Sequence, residues 1–318
     1  MREIKIEKND SGQRLDKFLS KKFETMPKSL MYKYIRTKYI KLNGKKTTPE
    51  TFLSDGDILT FYIKDEFFNE KKNYDFQKAS KELNILYEDE NLMLIDKKVG
   101  VIVHQDSSYG SDALVQRVLR YLYENGEYNP ESENSFTPAL VNRIDRNTGG
   151  IVIAAKNAEA LRTLNEKLKN REIVKTYLCI AKGKMPKKSD TITAFHTKNE
   201  KTNTVKIYDK EVENSKEIIT EYKVLDTSGD LSLLEVTLHT GRTHQIRAHL
   251  SHIGHPLLGD EKYGDKKLNA KYNIKRQALY SYKLTFDFSS PCPLDYINGK
   301  TFEVKNVPFA KDFRKLNA

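Results

Sequence analysis

The chain is poor in several residue types, and each shortage removes a class of protein. It has two cysteines, Cys179 and Cys292, in 318 residues. Two thiols cannot build a disulfide framework or a thiolate zinc site. Tryptophan is absent, and 15 glycines with 9 prolines leave no collagen-like or low-complexity stretch. No run approaches the ~18 apolar residues of a membrane span. The first twenty residues, MREIKIEKNDSGQRLDKFLS, lack the apolar core of a signal peptide. A soluble, cytoplasmic protein without membrane contact is expected. Neither a GxxxxGK[ST] loop nor a GxGxxG turn occurs, which argues against ordinary nucleotide or dinucleotide use.

What the chain does have is positive charge, +11 overall with a pI near 9.2. That points to an anionic partner and says nothing about fold. The charge is uneven. Between Gly12 and Lys64 stand twelve basic residues against five acidic ones. In this stretch Leu15, Phe18, Leu19 and Phe23 mark one face of a helix within 14–23. A second short helix spans 29–39 after Pro27, carrying Lys33 and Arg36, with Lys28 just before it. Ile40-Lys41-Leu42-Asn43-Gly44 reads as a strand entering a turn, and 58–63 as a closing strand. Residues 65–82 are polar and read as a linker whose Phe67, Phe68, Tyr74 and Phe76 can pack on either neighbour.

From Leu83 onward strands outnumber helices. Strands are expected at 85–87, 92–95, 151–155, 174–180, 218–225, 233–239 and within 278–288. Ser111 is placed as the N-cap of a helix over 112–123, and Asn157 as that of a helix over 158–170. A further helix, 243–253, ends at Gly254. Several strand pairs lack a crossover helix. The fold class is therefore α+β, a mixed, largely antiparallel sheet with flanking helices, preceded by a small α/β unit.

Two polar segments stand out. In Val141-Asn142-Arg143-Ile144-Asp145-Arg146-Asn147-Thr148-Gly149-Gly150 an aspartate sits between two arginines, in a loop that feeds a buried strand. In His239-Thr240-Gly241-Arg242-Thr243-His244-Gln245-Ile246-Arg247 a strand runs into a helix, and Arg247 lies beside the helix's apolar face. A partly buried arginine needs an anion.

The segments "NRIDRNTGG", "VKTYLCIAKG" and "HTGRTHQIRAHLSHIGHPLLGDEKYG" resemble three signatures of the RluA/RluC/RluD family of RNA pseudouridine synthases, in order and with fitting spacing. "LYEDENLMLIDKKVGVIVH" resembles the family's opening strand pair. The likeness covers roughly 83–288 and is nearest to the RluC-like ribosomal RNA enzymes. "GQRLDKFLS", "IKLNGKK" and "LSDGDIL" resemble the S4 RNA-binding module that often precedes that domain. The expected organisation is an S4-like domain over 1–64, a linker over 65–82 and a synthase domain over 83–318. Asn142, Ile144, Asn147 and Gly149 depart from the family's usual His, Leu, Asp and Ser, and Lys98 stands where proline is common.

The resemblance implies an isomerase that turns uridine into pseudouridine in large-subunit ribosomal RNA, with transfer RNA as the other candidate. It implies no cofactor and no metal, since the reaction neither adds nor removes electrons or groups, and a monomer is expected. Asp145 would be the catalytic carboxylate, either attacking ribose C1′ or removing a ribose proton. Arg247 would hold it, and Tyr177 would pack on the uracil and assist proton removal at C5. Arg143 would fill the gap left by a flipped base, Gln245 would line the uracil site, and Arg242 and His244 would contact the RNA backbone. Lys28, Arg36 and Lys41 would serve RNA binding in the basic module. Two other readings stand beside this one. A metal-dependent RNA hydrolase would use His239, His244, His249, His252 and His255, but no HExxH or fitting carboxylate accompanies them. A degenerate, purely RNA-holding domain would not need Asp145, Tyr177 and Arg247 together.

Overall fold

The computed structural model of the chain describes residues 1–68, 74–104 and 112–317. The first unit comprises β1 (Arg2–Lys5), α1 (Leu15–Lys22), α2 (Lys28–Arg36), β2 (Ile40–Leu42) and β3 (Ile58–Phe61). β3 pairs antiparallel with both β1 and β2. The apolar positions at helical spacing do what their spacing dictates. Leu15, Phe18, Leu19 and Phe23 are buried with Met31, Ile35 and Phe61 in one cluster. The 65–82 segment divides its aromatics between neighbours: Phe67 and Phe68 close this cluster, while Tyr74 and Phe76 pack against the next one. The segment is not featureless, since Asp65–Phe68 and Asp75–Lys78 are single 3₁₀ turns.

The remaining elements are β4 (Ile85–Glu88), β5 (Leu92–Lys97), α3 (Leu114–Glu124), β6 (Ala139–Leu140), β7 (Gly149–Ala155), α4 (Ala158–Lys169), β8 (Ile173–Lys182), β9 (Ser189–Asn199), β10 (Thr204–Tyr208), β11 (Lys216–Ser228), β12 (Leu231–Leu238), α5 (Gln245–His252), α6 (Lys266–Lys271), β13 (Leu279–Phe286), β14 (Thr301–Glu303) and α7 (Pro308–Lys311). Among the described residues their strands form one sheet of eleven, ordered β10-β9-β11-β12-β8-β13-β7-β5-β4, with β14 beside β13 and β6 beside β7. The pairing of β13 with β7 is parallel, and the other pairings are antiparallel. This is the mixed, largely antiparallel sheet expected from the sequence.

Two local expectations need correction, and one element was missed. The helix α3 begins at Leu114 with Ala113 at its N-cap; Ser111, expected there, lies outside the described residues. The helix expected over 243–253 is shorter, because His244 adopts a left-handed conformation (φ 53°) and the regular turns start only at Gln245. The β9–β10 hairpin was not anticipated at all. Asn157 does cap α4, accepting from the Ala160 amide at 2.8 Å.

The two units meet through polar contacts. Asp10, 1% exposed, accepts from Ser135 Oγ (2.7 Å) and Asn134 Nδ2 (2.8 Å). Gln13 Nε2 donates to Ser135 Oγ, and Arg162 Nη1 donates to the Ser11 carbonyl.

Candidate active site

The Asp145 loop is held at both ends by backbone-like bonds. Asn142 is buried, and its amide accepts from the Ile153 N–H (2.8 Å) and donates to the Ile151 carbonyl (3.3 Å). Its side chain thus completes the edge of β7. The Thr148 N–H donates to the Asp145 carbonyl at 3.0 Å, closing the turn. Gly149 and Gly150 then start β7 where β13 passes very close. A Cβ on Gly149 would strike the Tyr280 ring, and one on Gly150 (φ +113°) would strike the Ser281 carbonyl.

Lys97 supports the loop from below. It is 1% exposed, and its Nζ donates to the carbonyls of Lys98 (3.2 Å), Val101 (2.8 Å) and Arg146 (3.2 Å). Burial pushes this amine down, to about 7, with the Asp145 charge opposing. Three acceptors also favour the ammonium, because only –NH₃⁺ has three protons to give.

Arg247 joins this loop to the far side of the cleft. Its Nη1 donates to Asp145 Oδ2 at 2.7 Å. Its Nε and Nη2 form a fork on Asp260, at 2.7 and 2.9 Å. Asp260 is fully buried and also accepts from the Lys262 and Tyr263 amides. Burial raises the Asp260 carboxyl, but the hydrogen bonds and charge of Arg247, with those two amides, outweigh it, and the net shift is downward. Burial works against the Arg247 cation too, and Asp260 and Asp145 together hold it firmly charged. The result is a guanidinium whose orientation is fixed on one side and whose remaining N–H points at Asp145.

Asp145 remains reachable, with 28% of its side chain exposed. It opens on a cleft of about 940 Å³ whose wall includes Arg143, Arg146, Tyr177, Arg242 and His244. Tyr177 is buried on β8, and burial pushes its phenol up to about 12, with the Ser281 hydroxyl opposing, so it stays neutral. A neutral ring beside a carboxylate is suited to lie against a planar base.

Other expected residues fall into place differently. His244 Nδ1 pairs with Tyr263 Oη at 2.9 Å, and its Nε2 stands 4.0 Å from Asp145 Oδ1. Burial pushes its pKa down to about 4. His244 lines the cleft beside Asp145. Gln245, expected at the uracil, is 2% exposed, and its amide is spent inside the protein. It donates to Ile219 O and Thr220 Oγ1 and accepts from Thr240 Oγ1 and the Arg242 N–H. It lies in the wall of a small pocket that Asp145 and Tyr177 also line, where it braces the Arg242 turn. Arg143 and Arg242 are exposed at the cleft.

Lys28, Arg36 and Lys41 lie far along the chain on the first unit. Arg36 joins Lys33, Lys46 and Tyr32 around a cavity of about 430 Å³, while Lys28 starts α2 and Lys41 Nζ sits over the Tyr62 ring at 5.1 Å. The five histidines face different partners, among them Glu221 for His239, Asp209 for His252 and the Lys182 carbonyl for His255. Among the described residues no three His, Cys, Asp or Glu side chains gather into a metal-holding group.

Sequence reasoning overlooked Asp260, Lys97 and the β9–β10 hairpin, whose Lys198, Glu200 and Asn203 form part of the cleft wall. The hairpin had a signal. Thr191 to Thr197 alternates Ile192, Ala194 and His196 inward with Thr191, Thr193 and Phe195 outward, the period of a half-buried strand.

The family described as RNA pseudouridylate synthase matches residues 91–252, a span that holds Asp145, Tyr177 and Arg247. A ribosomal large subunit pseudouridine synthase C from Haemophilus influenzae is 32% identical over 292 residues, covering 89% of this chain and 86% of that protein. Its namesake from Buchnera aphidicola is 34% identical over 301 residues, covering 89% and 88%. The solved structure of human RNA pseudouridylate synthase domain containing 1 has a like fold. Its TM-score is 0.54 at 22% identity, over 78% of this chain and 98% of that one.

Proposed function

The chain belongs to the RNA pseudouridylate synthase family and is an RNA pseudouridine synthase, and from that premise we propose that it isomerises uridines of large-subunit ribosomal RNA at the Asp145 cleft. The observation that carries this reading is the exposed face of a carboxylate whose other face is held by Arg247 at 2.7 Å. The reaction cleaves the bond from C1′ to N1 of uracil and forms one from C1′ to C5, while the C5 proton is lost and N1 gains one. No group enters or leaves. A single carboxylate suffices, unlike the carboxyl pair of glycoside hydrolysis.

In this reading Asp145 is the reacting group, Arg247 orients it through the 2.7 Å bond, and the Tyr177 ring holds the uracil. A base inside a stack cannot reach this cleft, so the target nucleotide leaves its stack, with Arg143 at the mouth to take its place. The ribosomal substrate is supported by the names of the relatives that cover most of this chain. The first unit acts as an S4-like RNA-binding domain, its phosphate contacts drawn from the basic cavity around Lys33, Arg36 and Lys46 together with Lys28 and Lys41. The protein is expected to work as a monomer in the cytoplasm.

The test is a map of pseudouridines in ribosomal RNA from cells with and without this protein. Loss of one or more large-subunit pseudouridines, restored by the wild-type gene, supports the reading. An unchanged large-subunit map with a change confined to transfer RNA overturns the choice of substrate.

A further inference from the structure

The strand β8 carries a second side chain into the cleft besides Tyr177. Lys175 is two residues before it, so both project from the same face of the strand, about 7 Å apart along it. Lys175 lines the cleft with Asp145, Tyr177 and Arg242, and its ammonium rests by the Gly241 backbone, 3.7 Å from where a Cβ on that glycine would stand. It is half-buried, yet its ammonium makes no hydrogen bond or ion pair with any described residue.

That is unusual within this chain. Lys97 has three carbonyls, Lys156 has Glu88 and Glu127, and Lys167 has Glu172 at 2.8 Å. The cleft has no carboxylate left for Lys175. Among the described residues its wall contains two, Asp145 and Glu200; Asp145 is held by Arg247 and Glu200 by Lys198 at 2.6 Å. Burial pushes the Lys175 amine down, and no charge opposes it. A desolvated cation without a partner is costly until an anion arrives.

We propose that Lys175 is the phosphate anchor of the target nucleotide, binding a phosphodiester oxygen next to the uridine whose base lies on Tyr177. The role rests on the reading of the cleft as the uridine site. It is a positioning role: the ammonium fixes the backbone so that C1′ comes to Asp145. Two further cations lining the cleft, Arg143 and Arg242, are at its exposed mouth.

The experiment compares wild type, Lys175→Gln and Lys175→Arg on an in vitro transcript of large-subunit ribosomal RNA, following pseudouridine formation over a range of salt. Wild-type turnover tests the underlying reading by itself; without it, the uridine site fails whatever Lys175 does. Given turnover, Lys175→Gln should raise KM roughly tenfold, lower kcat as well because C1′ is less well placed against Asp145, and flatten the slope of log KM against log salt by ~0.7, the loss of one single-strand phosphate contact. Lys175→Arg should retain most of both. Wild-type KM and slope in Lys175→Gln overturn the proposal, as does an equal defect in the two variants, which would mark a packing role. If Lys175→Gln does not fold, wild type decides. An amine-reactive ester followed by mass spectrometry should label Lys175 in the free protein and be blocked by the transcript. Labelling that persists with RNA bound contradicts the proposal.

Discussion

Arg247 Nη1 lies 2.7 Å from Asp145 Oδ2, across 102 residues of chain, and the rest of its guanidinium is spent on Asp260. The pair is therefore a three-part device: a buried anchor, a fixed cation and a carboxylate exposed on one face. Removing the anchor should release the other two. In Asp260→Asn the fork loses its charged acceptor while Arg247 stays largely buried. Breaking such a buried pair costs on the order of 3–5 kcal/mol. Denaturant unfolding should show a loss of that size, and single-turnover conversion should slow at least tenfold. Wild-type values of both would mean that Asp260 does not orient Arg247.

Gly150 permits the close passage of β13 over the start of β7. At φ +113°, with the Ser281 carbonyl where a Cβ would go, even alanine is strained and collides with backbone. Gly150→Ala should lower stability by more than ~2 kcal/mol and impair conversion through the displaced Asp145 loop. A thermal melt equal to wild type would contradict the crowding seen here.

His244 and His249 both have pKa values pushed down to about 4, chiefly by burial. The unfolded chain takes up these protons near the ordinary value of 6.5. Between pH 6.5 and about 4 the unfolded state therefore binds more protons, and stability falls as the pH falls. Replacing both, as His244→Asn with His249→Gln, should make unfolding free energy less dependent on pH in that window. An unchanged slope would mean that these imidazoles already carry their proton in the fold.

The basic cavity on the first unit groups Lys33, Arg36 and Lys46. If it grips RNA phosphates, changing all three to glutamine should weaken RNA binding and flatten its salt slope by ~2 to 3, about 0.7–0.9 per lost contact. Filter binding at several salt concentrations measures this. An unchanged slope would make the charge a solvated surface.

The site was partly legible because its members advertise themselves locally. Asp145 between two arginines and Arg247 beside an apolar helix face are odd enough to notice without coordinates. Asp260 was not. It is an ordinary turn aspartate until folding brings Arg247 to it, and only then does its burial acquire a meaning. Lys97 hides similarly at the end of a strand, where a lysine is normally exposed. Gln245 and His244 were placed from their position at a helix start; their hydrogen bonds to β11 and Tyr263 could not be read there, because sequence spacing does not bring those groups near. In the fold, helices such as α4, with its Asn157 cap and apolar stripe, were readable. The β9–β10 hairpin was obscured by its charged tip, Lys198 to Lys201, and by Phe195 and His196, which break the apolar–polar alternation that Ile192 and Ala194 begin.

The central claim is that Asp145 performs the isomerisation. It is tested most directly by conversion of uridine to pseudouridine in a large-subunit ribosomal RNA transcript by Asp145→Ala and Asp145→Asn, each checked for native folding and RNA binding. Both variants should bind the transcript and yield no pseudouridine over times in which wild type goes to completion. Pseudouridine formed by either folded variant at a rate near wild type would contradict the account.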